Sequence, residues 1–377
     1  MPSSIEPAAR VGDPAGAIDT PALVIDADAM DRNIAAMAGF AREHGLKLRP
    51  HAKTHKCAAL ARRQMEAGAV GVCVQKVGEA LALAAGGVSD LYLSNEVIAP
   101  HKLARLAALA RQVKLSIAVD SLQGIEHLAL ALRAHPATID VFVEIDVGQG
   151  RCGAAPGQAA LLARAVQAQA ASGLRLAGLQ AYHGGAQHVR GTAARQAAIT
   201  QAAESVRTAL AALRDAGIAC PLVTGAGSGS FVFEAASGLW GELQAGSYLF
   251  MDRDYADNEP AQGAPRFEHA LFIKSSVISR GAAHAVVDAG HKSHAVDSGL
   301  PRVWGRELDF ANGGDEHGIV RARPGEILPE LGDTVWLVPG HCDPTVNLHD
   351  HYVLVRGGLE AGRVAEVLTI DARGAIR

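Results

Sequence analysis

The stretch KLSIAVDSLQGIEHLALALRAHPATIDVFVEID, residues 114–146, carries the pattern that decides the fold. A short β-rich run stands at each end, and an Ala/Leu-rich segment of helical composition separates the two runs. The same alternation continues in both directions along the chain, which is typical of βα units repeated around a parallel sheet. It predicts eight strands, at residues 47–53, 71–76, 90–95, 114–120, 139–146, 175–184, 221–227 and 242–248. Eight such units favour an α/β fold of the (β/α)8 TIM-barrel type over an open doubly wound sheet.

The pattern of the sequence changes after the last predicted barrel strand. Short apolar runs are then separated by Gly, Pro and Asp turns without helical spacing, which indicates a second, mostly antiparallel β domain. Near the other end, TPALVIDADAMDRNI (20–34) predicts a strand followed by a helix that is capped by Asp28. This strand is expected to pair with the C-terminal β domain. The predicted division is therefore a barrel of residues 27–265 and a β domain of residues 1–26 and 266–377.

Composition and charge exclude several classes of protein. The chain has 35 basic and 39 acidic side chains, a net charge of −4, and no basic stripe, so a nucleic-acid partner is not expected. No run of about 18 apolar residues could span a bilayer, and the first residues lack the apolar core of a signal peptide. The five cysteines show no CxxC spacing, which indicates reduced thiols. We expect a soluble, cytoplasmic protein without a membrane partner.

The first βα loop holds a lysine among histidines, in LRPHAKTHKC at residues 48–57. Functional groups of a barrel lie at the carboxyl ends of its strands, and Lys53 ends the first predicted strand. Enclosure there, with protonated His51 and His55 on the same face of the strand, would depress the lysine pKa and free the amine as a nucleophile. The alternative is an ordinary surface lysine in a βα loop.

Two glycine-rich turns follow the last two predicted barrel strands. They read VTGAGSGS (223–230) and QAGSY (244–248), and the backbone N–H groups of such turns form nests for a phosphate. A lysine amine and a phosphate nest in one barrel are the two anchors that pyridoxal 5′-phosphate (PLP) requires. The cofactor predicted from these segments is therefore PLP.

Two side chains at other strand ends suit the same cofactor. Arg151 in GQGRCG (148–153) can donate to the phenolic oxygen of PLP, and the alternative is a surface arginine after a turn. Tyr182 in AYHGGAQH (181–188) can pack on the pyridine face, and the alternative is a core tyrosine.

A second cluster lies in the predicted β domain, in PGHCDPTVNLHDH at residues 339–351. His341 and Asp343 alternate along what reads as an extended segment, so both side chains point the same way and can share one ion, with Cys342 on the opposite face. One imidazole, one carboxylate and water suit Mn²⁺ better than a closed zinc site. Mg²⁺, Co²⁺ and Zn²⁺ are the alternatives.

Taken together, these segments resemble the D-threonine aldolase and D-serine dehydratase group of PLP enzymes, which share the alanine-racemase-like fold of type III. The resemblance runs from DTPALVID at residue 19 almost to the C-terminus. It is carried by RPHAKTHK, CVQKVGEA, SNEV, EIDVGQGRCG, LQAYHG, TGAGSGS, LQAGSY, DEHG and HCDPTVNLHD.

The resemblance implies roles for individual residues of this chain. Lys53 would carry the Schiff base to PLP, and His341 and Asp343 would bind a divalent metal. His188 would act as a base near the β-hydroxyl of the substrate. The other contacts to PLP are expected from Gln75, Arg151, Tyr182, Thr224, Gly225, Gly227, Ser228, Gly246, Ser247 and Tyr248.

The spacing of the metal ligands separates the reactions of this group. The dehydratase branch resembles His-x-Cys with zinc, whereas His341-Cys342-Asp343 has the His-x-Asp pattern of the aldolase branch. The resemblance therefore implies an aldolase that cleaves D-3-hydroxy-amino acids to glycine and an aldehyde. The alternatives are a 3-hydroxy-D-aspartate aldolase and a D-serine or D-3-hydroxyaspartate dehydratase. A non-catalytic PLP carrier would not need a metal, and a sugar aldolase without PLP would leave Arg151 unexplained.

The group also implies an assembly. Its type III relatives pair their subunits head to tail, so we expect a homodimer. His341 and Asp343 would then serve either their own Lys53 or Lys53 of the partner subunit, and DEHG (315–318) would line the site or form a turn. The only other expected partner is the small-molecule substrate.

Overall fold

A computed structural model describes residues 6–377 of the chain. Strand β1 (Ala22–Asp26) leads directly into helix α1 (Ala27–Glu43). The Asp26 carboxylate accepts the backbone N–H groups of Asp28 and Ala29 at 3.1 and 3.0 Å. Asp26, and not the predicted Asp28, is therefore the helix cap, because Asp26 keeps extended backbone angles while Asp28 already lies in the first helical turn.

The next eight strands form one parallel sheet. They are β2 (Lys47–Leu48), β3 (Val72–Val74), β4 (Asp90–Leu93), β5 (Lys114–Val119), β6 (Ile139–Glu144), β7 (Leu174–Ala181), β8 (Val223–Gly225) and β9 (Glu242–Leu243). Their order is β2-β9-β8-β7-β6-β5-β4-β3. The two edges meet through a parallel bridge between His51 and Cys73, where the Cys73 N–H donates to the Pro50 carbonyl at 2.8 Å. The sheet therefore closes, and the predicted (β/α)8 barrel is confirmed.

Helices alternate with these strands and cover the outside of the barrel. They are α2 (Ala58–Glu66), α3 (Val77–Ala85), α4 (Pro100–Leu109), α5 (Leu122–Ala134), α6 (Ala159–Ala168), α7 (Thr192–Asp215) and α8 (Phe231–Ser237). Each turns an apolar stripe inward, as α4 does with Leu103, Leu106 and Ala107, all of which are buried. A short helix, α9 (Arg253–Ala256), follows the last barrel strand.

Several barrel strands are shorter than predicted. The first covers only Lys47–Leu48, because the chain turns at His51 into a 3₁₀ helix over Ala52–Thr54. The last ends at Leu243, and the chain continues into a 3₁₀ helix over Ser247–Leu249. The segments predicted to be functional therefore lie in loops beyond the strand ends, where their backbone groups are free of the sheet ladder.

The second sheet has nine strands within the described residues. They are β1 together with β10 (Leu271–Arg280), β11 (Ala285–Val287), β12 (Arg302–Val303), β13 (Leu308–Asn312), β14 (Gly318–Ala322), β15 (Thr334–Val338), β16 (His351–Arg356) and β17 (Arg363–Thr369). β1 lies inside this sheet, antiparallel to β10 and parallel to β16, whereas the other pairs are antiparallel. The expected pairing of the N-terminal strand with the C-terminal β region is confirmed. The exact domain boundaries stay a prediction.

One apolar cluster joins the barrel to the second sheet. Met30 and Ile34 of α1 pack with Leu249 and Phe250, which follow the last barrel strand, and with Leu271 and other residues of the second sheet. Helix α10 (Cys342–Val346) connects β15 to β16 and contributes to the same cluster. This packing places the segment that carries His341 beside the carboxyl end of the barrel.

Two further predictions concern the cysteines and the helices. All five cysteines are free, as expected for reduced thiols. Within residues 6–377, none of the helices combines the length and the apolar character that crossing a bilayer requires.

Candidate active site

A cavity of about 300 Å³ opens where the chain leaves the carboxyl ends of the barrel strands. Its wall includes eight of the residues predicted to contact PLP, namely Lys53, Gln75, Arg151, Tyr182, Gly227, Ser228, Gly246 and Ser247. The rest of the wall is formed by His51, Thr54, Lys76, Ser94, Asn95, Gln180, Ala226, Gln244 and Tyr255. This end of the barrel is where enzymes of this architecture place their reacting groups.

Lys53 lies in the 3₁₀ helix that follows β2, and its amine faces a carboxylate. Lys53 Nζ lies 2.6 Å from Asp343 Oδ2. The predicted depression of the lysine pKa is wrong for this arrangement: the Asp343 carboxylate raises the pKa of Lys53, and this attraction outweighs the opposing effect of burial. The same ion pair shows that Asp343 faces Lys53 of its own chain.

The histidines that flank Lys53 do not share one face with it. His51 caps the 3₁₀ helix, accepts the Lys53 N–H through Nδ1 at 3.3 Å, and turns Nε2 toward Gln75 and Ser94 at 2.9 and 3.2 Å. His55 is fully buried and accepts the Cys57 N–H through Nδ1. Burial lowers the pKa of His51 and lowers that of His55 to about 4, so both rings are neutral near pH 7. The expected protonated pair is wrong because both rings are buried, and the expected shared face is wrong because the chain has left the strand before Lys53.

The loop after Lys53 is held by a buried ion pair. Lys56 has a positive φ of 52° and donates to Glu79 Oε1 at 2.6 Å. The other oxygen of Glu79 accepts the N–H groups of Gln75 and Lys76 at 2.8 and 3.1 Å. Glu79 therefore fixes the first two βα loops of the barrel to each other, and with them Lys53 and Gln75 on the cavity wall.

The two glycine turns meet at the cavity with free backbone donors. The N–H groups of Ala226, Gly227, Ser228, Gly246 and Ser247 donate to no protein acceptor within the described chain. A Cβ on Gly246 would stand 2.8 Å from the His51 carbonyl oxygen, so only glycine lets this turn approach the Lys53 loop. Converging free N–H groups at a cavity with a lysine fit the phosphate and the amine linkage of PLP.

A buried polar network supports the first of these turns. Gln187 accepts the Gly229 N–H at 3.0 Å and donates to Ser230 Oγ at 2.7 Å. Ser230 in turn donates to Glu234 Oε1 at 2.7 Å. Glu234 is buried, and burial raises its pKa to about 7. The first glycine turn is thereby tied to the residue that precedes His188.

Three predicted contacts to PLP lie outside the cavity wall. Thr224 is buried in the barrel interior, where it donates to Glu242 Oε1 at 2.7 Å. Gly225 lies in strand β8, and the hydroxyl of Tyr248 accepts a bond from Gln64 Nε2 at 2.9 Å in the core. The adjoining turns at 226–228 and 246–247 reach the cavity instead.

Arg151 and Tyr182 face each other across the cavity wall. The Arg151 guanidinium carbon lies 5.6 Å from the centre of the Tyr182 ring, a cation–π distance. The loop before Arg151 is folded by Asp146, which accepts the Gly148 and Gly150 N–H groups at 2.9 and 3.1 Å. Burial raises the pKa of Tyr182, so its hydroxyl stays protonated.

The predicted metal segment has a different backbone from the one expected. His341 caps the N-terminus of α10 and Asp343 lies in its first turn, so they do not alternate along an extended strand. Their side chains nevertheless converge, with His341 Nε2 3.9 Å from Asp343 Oδ1. Cys342 packs in the apolar core, as expected for a residue that faces away.

Two carboxylates hold this segment in place. Asp297 lies 2.8 Å from His341 Nδ1 and so directs Nε2 toward Asp343. Asp252, which is fully buried, accepts the Cys342 N–H at 2.9 Å and also caps α9. Burial opposes the charge on Asp343, but Lys53 and His341 hold the pKa of this carboxyl well below its usual range.

The arrangement of His341 and Asp343 fits a divalent cation. Asp343 Oδ1 is buried without a hydrogen-bond partner in the described part of the chain, and it faces the imidazole nitrogen. Residues 6–377 contain no group of three or more His, Cys, Asp or Glu side chains that could hold a metal. A cation here would therefore have two protein ligands, and water or substrate would complete its coordination.

His188 lies beside the cavity and not in its wall. It ends a 3₁₀ turn over Gly185–His188, and its ring lies 5.4 Å from the ring of Tyr255, which does line the cavity. Its Nδ1 lies 2.5 Å from Asp254 Oδ2.

Several residues that shape the site were not predicted from the sequence. Asp252, Asp254 and Tyr255 all lie in MDRDYADN, residues 251–258, and Asp297 lies in the β domain. The available signal was that this acidic segment directly follows the last predicted barrel strand, where barrel loops converge. Nothing local to Asp297 marks it, since its role depends on a contact with His341.

Comparisons with known proteins agree with this architecture. The alanine racemase N-terminal domain family matches residues 25–254, and a putative serine dehydratase domain family matches residues 270–355. A D-threonine aldolase from Arthrobacter sp. is 46% identical over 98% of this chain and 97% of the relative. A 3-hydroxy-D-aspartate aldolase from Paracoccus denitrificans (strain Pd 1222) is 44% identical over 95% of this chain and 92% of the relative.

A solved structure extends the likeness to three dimensions. The crystal structure of D-threonine aldolase from Filomicrobium marinum superposes with a TM-score of 0.95 at 47% identity, and it covers 99% of this chain and 100% of that chain. The fold and nearly the full length therefore agree. The chain belongs to the D-threonine aldolase and 3-hydroxy-D-aspartate aldolase family of carbon–carbon lyases, within the alanine-racemase-type fold.

Proposed function

We propose that this chain is a PLP- and divalent-metal-dependent aldolase, which cleaves D-3-hydroxy-amino acids of the D-threonine type into glycine and an aldehyde. The observation that carries the proposal is the meeting of Lys53 and Asp343 at 2.6 Å, with His341 facing the other oxygen of the same carboxylate. This geometry supports the proposal because the candidate cofactor amine lies beside the candidate metal ligands.

PLP would be held by residues from several barrel loops. Lys53 supplies the amine for covalent attachment, and the free N–H groups of the turns at 226–228 and 246–247 bind the phosphate. Arg151 donates to the phenolic oxygen, and Tyr182 packs against the pyridine face. When bound, PLP supplies an electron sink that stabilises negative charge at the substrate's Cα.

The metal would be held by His341 and Asp343. When bound, a divalent ion supplies Lewis-acid polarisation of the β-hydroxyl. Mn²⁺ is proposed because an imidazole, a carboxylate and water suit it, with Mg²⁺, Co²⁺ or Zn²⁺ as the alternatives.

The chain's own residues complete the reaction. His188 accepts the proton of the β-hydroxyl, and the oxygen's electron pair then forms the carbonyl of the departing aldehyde. Its ring packs on Tyr255 of the cavity wall, which supports this role.

The test is an analysis of products from D-threonine with PLP-loaded protein and Mn²⁺, alongside an EDTA control. Glycine and acetaldehyde that disappear with EDTA would support both the reaction and the role of the metal. Full activity of metal-stripped protein would contradict the role of the metal. The absence of glycine from D-threonine and from 3-hydroxy-D-aspartate would contradict the aldolase.

Dehydration is the second candidate, because the C-terminal region matches a putative serine dehydratase domain. In that reaction Lys53 removes the Cα proton, the hydroxyl leaves, and the products are a 2-oxo acid and ammonia. The Asp343 carboxylate in the His-x-Asp spacing favours the aldolase. Detection of 2-oxobutanoate and ammonia from D-threonine would favour the dehydratase instead.

The substituent on the β-carbon is tested by the same experiment. A methyl group corresponds to D-threonine, and a carboxylate corresponds to 3-hydroxy-D-aspartate with glyoxylate as the second product. Lys76 on the cavity wall adds a cation that suits the second carboxylate. A ratio of kcat/KM for the two substrates decides between them.

We also propose a homodimer, which is based on the family resemblance. Light scattering coupled to gel filtration at several concentrations tests this proposal. A mass of one chain at all concentrations would contradict it.

A further inference from the structure

A short imidazole–carboxylate contact lies beside the cavity. His188 Nδ1 lies 2.5 Å from Asp254 Oδ2, although His188 ends the 3₁₀ turn after β7 and Asp254 lies in α9. The Asp254 side chain is only 7% exposed, whereas the His188 side chain is 46% exposed. A fixed carboxylate therefore holds a ring that remains accessible.

Asp254 is itself held from the other side. The Arg190 guanidinium donates to Asp254 Oδ1 and to the Asp254 carbonyl oxygen, and it also reaches Asn258 Oδ1 at 2.9 Å. Asn258 Nδ2 in turn donates to the Gln187 carbonyl at 2.9 Å. These bonds close a ring between α9 and the turn that carries His188, so Oδ2 remains for the imidazole alone.

The helix that carries Asp254 is bonded to the candidate metal segment. The Asp254 N–H donates to the Gly340 carbonyl at 3.1 Å. Asp252, two residues earlier, accepts both the Tyr255 N–H and the Cys342 N–H at 2.9 Å. Backbone bonds therefore fix the position of Asp254 relative to the segment of His341 and Asp343.

We propose that Asp254 is a positioning residue for His188, which holds the Nδ1 proton and leaves Nε2 as the nitrogen that meets the β-hydroxyl. This inference rests on the proposed function and assigns the orientation of its base. A neutral imidazole has one donor and one acceptor nitrogen, so a carboxylate on Nδ1 makes Nε2 the acceptor.

In the proposed step, one proton and two electron pairs move. The hydroxyl proton moves to Nε2, and the oxygen's electron pair forms the aldehyde carbonyl as the Cα–Cβ bond breaks. The electron pair of the broken bond stays with the glycine carbon, which is later protonated. Asp254 Oδ2 stabilises the positive charge that appears on the ring.

The first test uses NMR on the full PLP-loaded chain with ¹⁵N-labelled histidine. The signal of His188 is assigned by its loss in His188→Asn. We expect Nδ1 to carry the proton, with a downfield proton signal, and we expect Asp254→Asn to abolish that signal. An Nε2-protonated ring in the unsubstituted protein would overturn the inference.

Two matched variants separate orientation from general stability. Asp257→Asn removes a carboxylate from the end of the same helix, where it pairs with Arg302 at 2.7 Å, and it should leave the His188 signal unchanged. Arg190→Gln removes the ion pair but keeps the carboxylate, and it should retain the Nδ1 proton. Loss of that signal in both variants would show that only the fold of the segment matters.

The second test measures kinetics. Asp254→Asn should lower kcat on the order of 100-fold with KM within about threefold, because a base is misoriented while substrate binding is kept. In a His188→Asn background the same substitution should have no further effect. A full additional loss in that background would overturn the inference.

The two tests distinguish this inference from the proposed function. The NMR signal needs no turnover, so an inactive protein with the expected tautomer contradicts the aldolase and supports the positioning role. An active aldolase whose rate is unchanged in Asp254→Asn contradicts the positioning role and supports the aldolase.

Discussion

The two sides of the candidate site are built in different ways. On the barrel side, the cavity wall combines residues of several βα loops with the free backbone N–H groups of the two glycine turns. On the β-domain side, the site depends on two side chains, His341 and Asp343, at the start of one short helix. Asp297 and Asp252 steady that segment from outside it, together with the Lys53–Asp343 ion pair and the bond from the Asp254 N–H to the Gly340 carbonyl.

This difference separates binding from reaction. Backbone donors cannot be removed by a single substitution, so the barrel side should keep its cofactor through most changes of sequence. The β-domain side consists of side chains, and one substitution can change its chemistry. If binding and reaction are separated in this way, substitutions on the β-domain side should change activity without loss of the cofactor.

Lys53→Ala gives the largest expected effect. Lys53 is the exception on the barrel side, because its contribution comes from the side chain and can be removed by one substitution. Loss of the amine should lower the rate of D-threonine cleavage by more than about 10³-fold, because Lys53 is the residue proposed to hold the cofactor covalently. The visible absorbance of protein-bound PLP after gel filtration should disappear as well. Lys47→Ala, at the exposed start of β2, is the control and should retain this absorbance. Covalent PLP in Lys53→Ala would contradict the assignment.

His341→Ala and Asp343→Ala, on the β-domain side, should reduce the reaction and leave PLP binding unchanged. We expect product formation to fall on the order of 100-fold or more, since the proposed metal site would lose a ligand. The PLP absorbance should stay at the level of the unsubstituted protein. His135→Ala, an exposed histidine at the end of α5, provides the control. Loss of PLP in these variants would mean that the two sides are not separate.

Asp297→Asn sharpens the comparison by changing a residue that supports a ligand. The weaker acceptor orients His341 less firmly, so the Mn²⁺ concentration for half-maximal activity should rise about 10- to 100-fold. Activity at saturating Mn²⁺ should largely recover. Asp309→Asn, on the exposed face of β13, is the control. An unchanged Mn²⁺ titration would exclude a role for Asp297.

Glu234→Gln tests the network beneath the phosphate turn and has the smallest expected effect. Burial raises the Glu234 pKa from its ordinary 4.5 to about 7, so the folded state binds this proton more tightly than the unfolded state. The resulting stability is present below pH 4.5 and is lost as pH rises through 7, up to about 3 kcal/mol. Melting temperatures at pH 5 and pH 8 should therefore differ less in Glu234→Gln. An equal pH dependence in both proteins would contradict the raised pKa.

Much of the barrel side could be predicted from the sequence. The alternation of β-rich and helical segments has a regular period, so the barrel could be recognised without any contact information. Parallel strands bring their carboxyl ends together, which is why Lys53, Arg151 and Tyr182 could be grouped although they are far apart in the chain.

The rest depends on contacts that no local pattern encodes. The expectation for His51 and His55 failed because it assumed that the strand continued to Lys53, whereas the chain turns into a 3₁₀ helix. The extended backbone expected at His341 failed for a similar reason, since α10 begins there. The two pKa expectations failed for other reasons: the pKa of Lys53 depends on the Asp343 carboxylate, which is remote in sequence, and burial lowers the pKa of both histidines.

The position of β1 has a consequence for the order in which the newly made chain folds. β1 pairs with β10 and β16, and both of these strands follow the whole barrel in the chain. The ribosome must therefore produce the barrel before β1 can meet either partner, and pairing over such a separation is slow compared with local contacts. The barrel side of the cavity should form first. Newly made chains are thus expected to bind PLP before they can cleave a substrate.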